Sequence, residues 1–258
     1  MSTWRIEEFG KKPKLNNAIL IEGLPGIGNV GKVVIDFIVD ELNAKKIYEI
    51  TSDSFPHSVF VNEENLVELP KVEIFYKKVK GNNLLLLGGD VQPIDEISSY
   101  EFCEKILDIV EGFKTNEIIT LGGIGLADIP KKPKVYCTGN SKKIIEKYKN
   151  KKIHNDLYGV VGPIVGVSGL LLGLASRRKI AAVSLLAETY GHPMYLGVKG
   201  AREILKILND KLKLGVDVDK LEKEIDYIDR NILKGREELG MGKSGSKKIK
   251  FGEASYIG

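Results

Sequence analysis

The residues of this chain that could take part in chemistry are few, and most sit where apolar runs end. AILIEG at 18–23 leads into GLPGIGNVGK, in which Gly26, Gly28 and Gly31 satisfy the GxGxxG spacing at the entry to a helix. Glycines so spaced let backbone amides and a helix N-terminus approach a pyrophosphate, which is dinucleotide chemistry. Against that reading, Pro25 makes the turn unusual, and the ribose-binding acid would have to be Glu49 or Asp53, neither of them cleanly placed at a strand end. The same glycines equally serve a turn that lets a helix approach a sheet closely, and that is the preferred reading. A phosphate-binding NTPase loop is excluded, because Lys32 is followed by Val33 rather than Ser or Thr.

Asp90 of GGDVQP, Glu188 of AETYGH and His192 form an acid/base inventory suited to hydrolase or phosphorylase chemistry. In an open parallel sheet the carboxyl ends of the strands share one edge. Gly26, Gly28, Asp90, the GGIG at 122–125 and Glu188 are therefore the candidate ligand pocket. The alternative role of the two carboxylates is to accept hydrogen bonds from loop amides and hold the turns. No catalytic residue is assigned. GVSGL at 166–170 begins as a serine nucleophile elbow does, but Leu170 stands where the last glycine is needed, so Ser168 is not read as a nucleophile. His57, His154 and His192 are far apart and lack metal-ligand spacing, and Cys103 and Cys137 belong to no CxxC or Cys/His cluster. The expectation is no metal, no cofactor and two buried reduced thiols.

The elements that must position these residues alternate. AILIEG, NLLLLGG at 83–89, EIITLGG at 117–123 and IAAVSLLAE at 180–188 are nearly continuous in apolar residues, as strands covered on both faces are. Between them, Val30, Val33, Val34, Phe37 and Ile38 mark one amphipathic helix, and Phe102, Cys103, Ile106, Leu107 and Val110 mark a second. Val198, Ala201, Leu205, Leu208 and Leu212 mark a third. Residues 44–80 carry close-spaced strand-like runs, read as an antiparallel insertion or extension of the sheet. The fold class is α/β, with a mainly parallel sheet flanked by helices.

Val218, Leu221, Ile225, Ile228 and Ile232 then follow a heptad seam that Asp217 or Asp219 could cap. From Gly240 the chain is rich in Gly, Ser and Lys and has too few apolar residues to offset the entropy of ordering it. The expected organisation is an N-terminal arm at 1–14, an α/β core at 15–215, a C-terminal helix at 216–239 and a flexible tail at 240–258. With 43% hydrophobic and 29% charged residues, the composition is that of a globular protein with one sizeable core. A net charge of +4, interleaved along the chain, does not point to nucleic acid, and the longest apolar stretch is broken by glycines. A cytoplasmic protein without membrane contact is expected.

In order, IEGLPGIGNVGKVVIDFIVDEL, GGDVQP, ITLGGIGLADIPKKPKVYCTGNS and VGPIVGVSGLLLGLASRRKIAAVSLLAETYGHP resemble the proteasome-assembly-chaperone family, particularly its archaeal homologues. The resemblance implies an α/β sandwich akin to nucleoside phosphorylases and hydrogenase-maturation peptidases, without catalysis. It implies homo-oligomers whose partners are proteasome α-type subunits or another assembly-related protein. In that family some C-terminal tails end in a hydrophobic residue, a tyrosine and any residue. Here the end is Ser255, Tyr256, Ile257, Gly258, with tyrosine third from the terminus. The resemblance makes Tyr256, Ile257 and Gly258 the partner-binding residues. The competing reading is a small-molecule enzyme, phosphorylase-like or hydrolase-like, that uses the strand-end pocket.

Overall fold

The computed structural model describes residues 3–62, 64–154, 162–193 and 195–221. In chain order they form β1 (Trp4–Glu8), β2 (Ala18–Glu22), α1 (Val30–Leu42), β3 (Lys45–Ser52), β4 (Phe60–Val61), β5 (Val67–Glu68), β6 (Val72–Val79), β7 (Asn82–Gly89) and α2 (Glu96–Gly112). There follow β8 (Glu117–Leu126), β9 (Val135–Gly139), α3 (Lys142–Tyr148), β10 (Ile153–His154), α4 (Val167–Arg177), β11 (Ala181–Tyr190) and α5 (Val198–Leu212).

Nine strands make one sheet in the order β1-β3-β6-β7-β2-β8-β11-β9-β10. The α/β class expected from the apolar runs is the class observed. The parallel pairing falls on the strands that those runs mark: β7, β2, β8 and β11 are parallel neighbours. Outside this centre β1, β3, β6 and β7 run antiparallel, as does β9 beside β11, so the sheet as a whole is mixed. The reason is local. β6 and β7 are joined by the tight turn at Lys80 and Gly81, both with positive φ, and a two-residue connection can only reverse the chain.

α1 packs with α5, and α2 with α4. The α2/α4 side buries Ala18, Leu20, Ile118 and Ala182 from the central strands, with Leu24 from the turn after β2, against Phe102, Ile106, Val167 and Leu171. The inward residues of α2 are those its periodicity marks. α1 is turned relative to expectation: Gly31, Val34, Ile35 and Ile38 are buried, while Val33 and Phe37 are only partly covered. Gly31 causes this by allowing that side of the helix to touch the sheet. Residues 4–8 of the N-terminal arm form an edge strand, pinned by the Trp4 ring against Phe55 and Phe102.

A further helix begins at residue 218, where the Asp217 side chain accepts the Asp219 amide at 3.1 Å, and Leu221 is buried. The rest of the heptad seam and the whole of 240–258, with Tyr256, Ile257 and Gly258, lie outside the described residues. No described helix is long and apolar enough to cross a membrane.

Both cysteines are buried and free. Burial pushes the Cys103 thiol well up and the Cys137 thiol up to about 11. We expect neither thiol to react with Ellman's reagent at pH 8 in the native protein, and both to react in guanidinium chloride. A rapidly titrating thiol in the folded protein would contradict this burial.

Candidate functional site

The carboxyl ends of the parallel strands enclose a cavity of about 540 Å³. Its walls are the turn after β2 (Leu24, Gly26, Ile27), the start of α1, residues 121–125 of β8, Leu186 of β11, Gln92, and residues 162–166 with Ser168 at the start of α4. Glycine recurs on every side, so much of the lining is backbone. Among the described lining residues none is Lys, Arg, His, Asp or Glu.

Two side chains hold the mouth together. Gln92 donates from Nε2 to the Pro25 carbonyl at 2.5 Å and accepts the Val167 amide on Oε1 at 3.0 Å. It thereby ties the β2 turn to the first residue of α4, whose N-cap, Gly166, offers no side-chain cap. Beneath Ser168 lies Glu22, the last residue of β2, with no exposure to solvent. Its carboxylate accepts the Leu24 amide at 3.0 Å and the Ser168 hydroxyl at 2.9 Å. Burial raises this carboxyl to about 7, against the Leu24 amide, the Ser168 hydroxyl and the Leu121 backbone, all of which favour the ionised form.

Of the residues expected from sequence to share the strand-end edge, Gly26 and the glycines at 122, 123 and 125 line the cavity. Gly28 is turned to the other side of the sheet: at φ +62° it packs on Thr189, whose Oγ1 would lie 2.6 Å from an added Cβ. Asp90 holds a turn, accepting the Lys71 amide at 3.3 Å while its own amide donates to the Lys71 carbonyl. Glu188 accepts the Lys134 amide at 2.9 Å and the Tyr136 hydroxyl at 3.2 Å. His192 stacks on Tyr190 with ring centroids 5.7 Å apart. None of Gly28, Asp90, Glu188 and His192 is among the lining residues, and the two carboxylates make the turn-holding bonds that were their alternative role. Gly28 and Gly31 of the GxGxxG set likewise act in packing. Gly31 lies against the Leu121 carbonyl, where an added Cβ would come within 2.7 Å.

Glu22 was the residue to find. Its signal is present in AILIEG, where one charged residue closes a run that must be covered on both faces. A strand end is ordinarily a place where charge meets water, and nothing local says that α4 covers this one. Ser168, considered only as a nucleophile, is instead the residue joining Glu22 to the cavity wall. Among the described residues, no group of three or more His, Cys, Asp or Glu comes together in a way that could hold a metal ion.

Comparison with known proteins places this chain in a wider group. The sequence model of the PAC2 family matches residues 20–234. An uncharacterized protein of Methanocaldococcus jannaschii, MJ1210, is 30% identical over 247 residues, covering 95% of this chain and 93% of its own. The crystal structure of Pyrococcus furiosus PbaB, an archaeal proteasome activator, superposes with a TM-score of 0.83 at 32% identity, over 92% of this chain and 100% of that one. Pyrococcus furiosus PbaA, an archaeal homolog of proteasome-assembly chaperone, gives 0.77 at 26% identity, over 93% and 94%.

Proposed function

The chain belongs to the PAC2 family, and on that premise we propose that it is a non-catalytic assembly chaperone or adaptor of the proteasome system. The observation that carries this reading is its likeness, along the whole length of that chain, to an archaeal proteasome activator. A homo-oligomer is proposed to present several C-terminal tails, with Tyr256, Ile257 and Gly258 engaging proteasome α-type subunits or an associated assembly protein. Displaying several weak tails on one body raises apparent affinity without any strong single contact.

The folded unit offers support for a protein-binding role. The small β4–β5 hairpin exposes Val59, Phe60, Val61, Leu66, Val67 and Leu69, each more than 40% accessible. A two-stranded hairpin is marginal by itself, and a cluster of large apolar side chains in water marks a surface that another protein covers. Such a surface would let copies of the chain join while the tails stay available.

Binding to purified 20S proteasome from the same host tests the proposal, comparing the full-length protein with a form lacking residues 255–258. We expect the full-length protein alone to retain proteasome subunits, and both forms to sediment at the same oligomeric size. Equal retention by the two forms would rule out the tail as the contact, and retention by neither would remove the proteasome as the target.

A further inference from the structure

We propose that the strand-end cavity binds a small, protonated primary amine, held by the Ser168–Glu22 pair in its wall. This is independent of the chaperone reading and would stand if that reading fell.

The charge balance of the interior carries it first. Two carboxylates are buried among the described residues, Glu22 and Glu117. Glu117 is matched by the Lys147 ammonium and the Tyr148 hydroxyl. Glu22 instead takes its hydrogen bonds from an amide and a hydroxyl, both neutral. A buried carboxylate without a cation is costly, and the cost persists however well it is hydrogen-bonded to neutral donors. Ser168 directs its proton at Glu22 and lines the cavity, so its oxygen lone pairs can accept a donor from a bound molecule. An ammonium there would stand one hydroxyl away from the uncompensated charge.

The sheet register supplies the second observation. Glu22 on β2 is level with Thr120 on β8, and Thr120 with Ser184 on β11. All three are fully buried on the α4 side of the sheet, and the hydroxyls of Thr120 and Ser184 have no hydrogen-bond partner. Two residues further along β8 on the same face is Gly122, part of the cavity wall, which carries no side chain to cover Thr120. A row of oxygens, from Glu22, Thr120 and Ser184, therefore lies behind the wall, and Ser168 lines the cavity in front of Glu22. An ammonium has three donors and no acceptor, which suits the Ser168 oxygen backed by that row, whereas a carboxylate or phosphate group would bring acceptors and negative charge to a wall whose described residues include no basic side chain. Leu24, Ile164, Val165 and Leu186 provide apolar surface for an alkyl chain.

The test is ligand-observed NMR on the full-length protein at pH 8, above the value of about 7 to which burial raises Glu22, with n-butylammonium, n-butanol and butyrate as probes. Because a hydrogen bond to a charged group exceeds a neutral one by more than 1 kcal/mol, butylammonium is expected to bind about tenfold more tightly than butanol, and butyrate more weakly than either. Glu22→Gln, which preserves shape and removes charge, is expected to abolish the preference for the cation. Ser168→Ala, on the wall and away from the buried strand, is expected to reduce it several-fold, and keeps the test open should the first variant fold poorly. Equal binding of alcohol and ammonium, or a preference that survives both substitutions, would overturn the proposal.

Discussion

Replacing Gly23 by alanine is expected to cost the domain about 3–4 kcal/mol, enough to leave a protein of ordinary stability largely unfolded on mild heating. A Cβ at this position would lie 2.2 Å from the Gly31 carbonyl oxygen, 2.6 Å from its carbon and 2.6 Å from Ile35 Cγ1. The first two atoms are backbone of α1 and cannot rotate away. Relief requires the helix to move off the sheet, which also loosens Gly31 from Leu121 and disturbs the mouth of the cavity. Gly173, on the exposed side of α4, provides the control, because an added Cβ there meets nothing within 4 Å. Its change to alanine should stabilise by roughly 0.5–1 kcal/mol through helix propensity. Urea unfolding of both variants measures the difference. A loss below about 1 kcal/mol for Gly23→Ala would mean that close helix–sheet approach is not what the glycines serve.

Glu22→Gln should act in the opposite direction, and its effect should depend on pH. The carboxyl of Glu22 titrates at about 7 in the folded protein, against an ordinary 4.5. Between these values the folded chain holds a proton that the unfolded chain has released, so stability falls as pH rises through the window. The rise from 4.5 to about 7 corresponds to about 3 kcal/mol, absent below pH 4.5 and fully expressed above about pH 7. Glutamine escapes this loss but has one acceptor oxygen for the Leu24 amide and the Ser168 hydroxyl, so the net gain at pH 8 is expected near 1–2 kcal/mol. Denaturation curves of both proteins from pH 5 to pH 8 should diverge as pH rises, with the wild type losing ground. Parallel curves would show that Glu22 ionises no differently in the two states.

These two expectations concern adjacent residues, and the adjacency has a structural meaning. β2 ends in Glu22, and the next residue is the glycine on which α1 rests. The close approach of α1 narrows one side of the cavity while α4 seals Glu22 from the other. Gln92 fixes the distance between the two helices' entry turns through its bonds to Pro25 and Val167. A change that lifts α1 should therefore also alter the environment of the buried carboxylate, and the two variants should not be additive if combined.

Much of this architecture is legible from residue order. Runs such as NLLLLGG and EIITLGG are nearly continuous in apolar residues, as strands covered on both faces are, so the central parallel strands and their flanking helices follow from local chemistry. The core face of α2 follows from its periodicity for the same reason. The role of Gly28 and Gly31 in close packing was also within reach, since Pro25 and the lack of a cleanly placed ribose acid argue against a dinucleotide site. The family resemblance, spread over several ordered blocks, is likewise a property of the chain alone.

What only the tertiary structure decided is which polar residues meet. Asp90 and Glu188 look like pocket residues because they end or follow core strands, yet each is taken up by a loop amide distant in sequence, Lys71 for Asp90 and Lys134 for Glu188, and neither lines the cavity. Glu22 looks like an ordinary strand end, but a helix that begins some 145 residues later covers it and supplies Ser168. Burial of a single side chain depends on contacts distant in sequence, whereas strand and helix formation depend mostly on the pattern of neighbours. Backbone elements can thus be read from the chain, while the charge state of a carboxylate and the walls of a cavity are set only when the layers close.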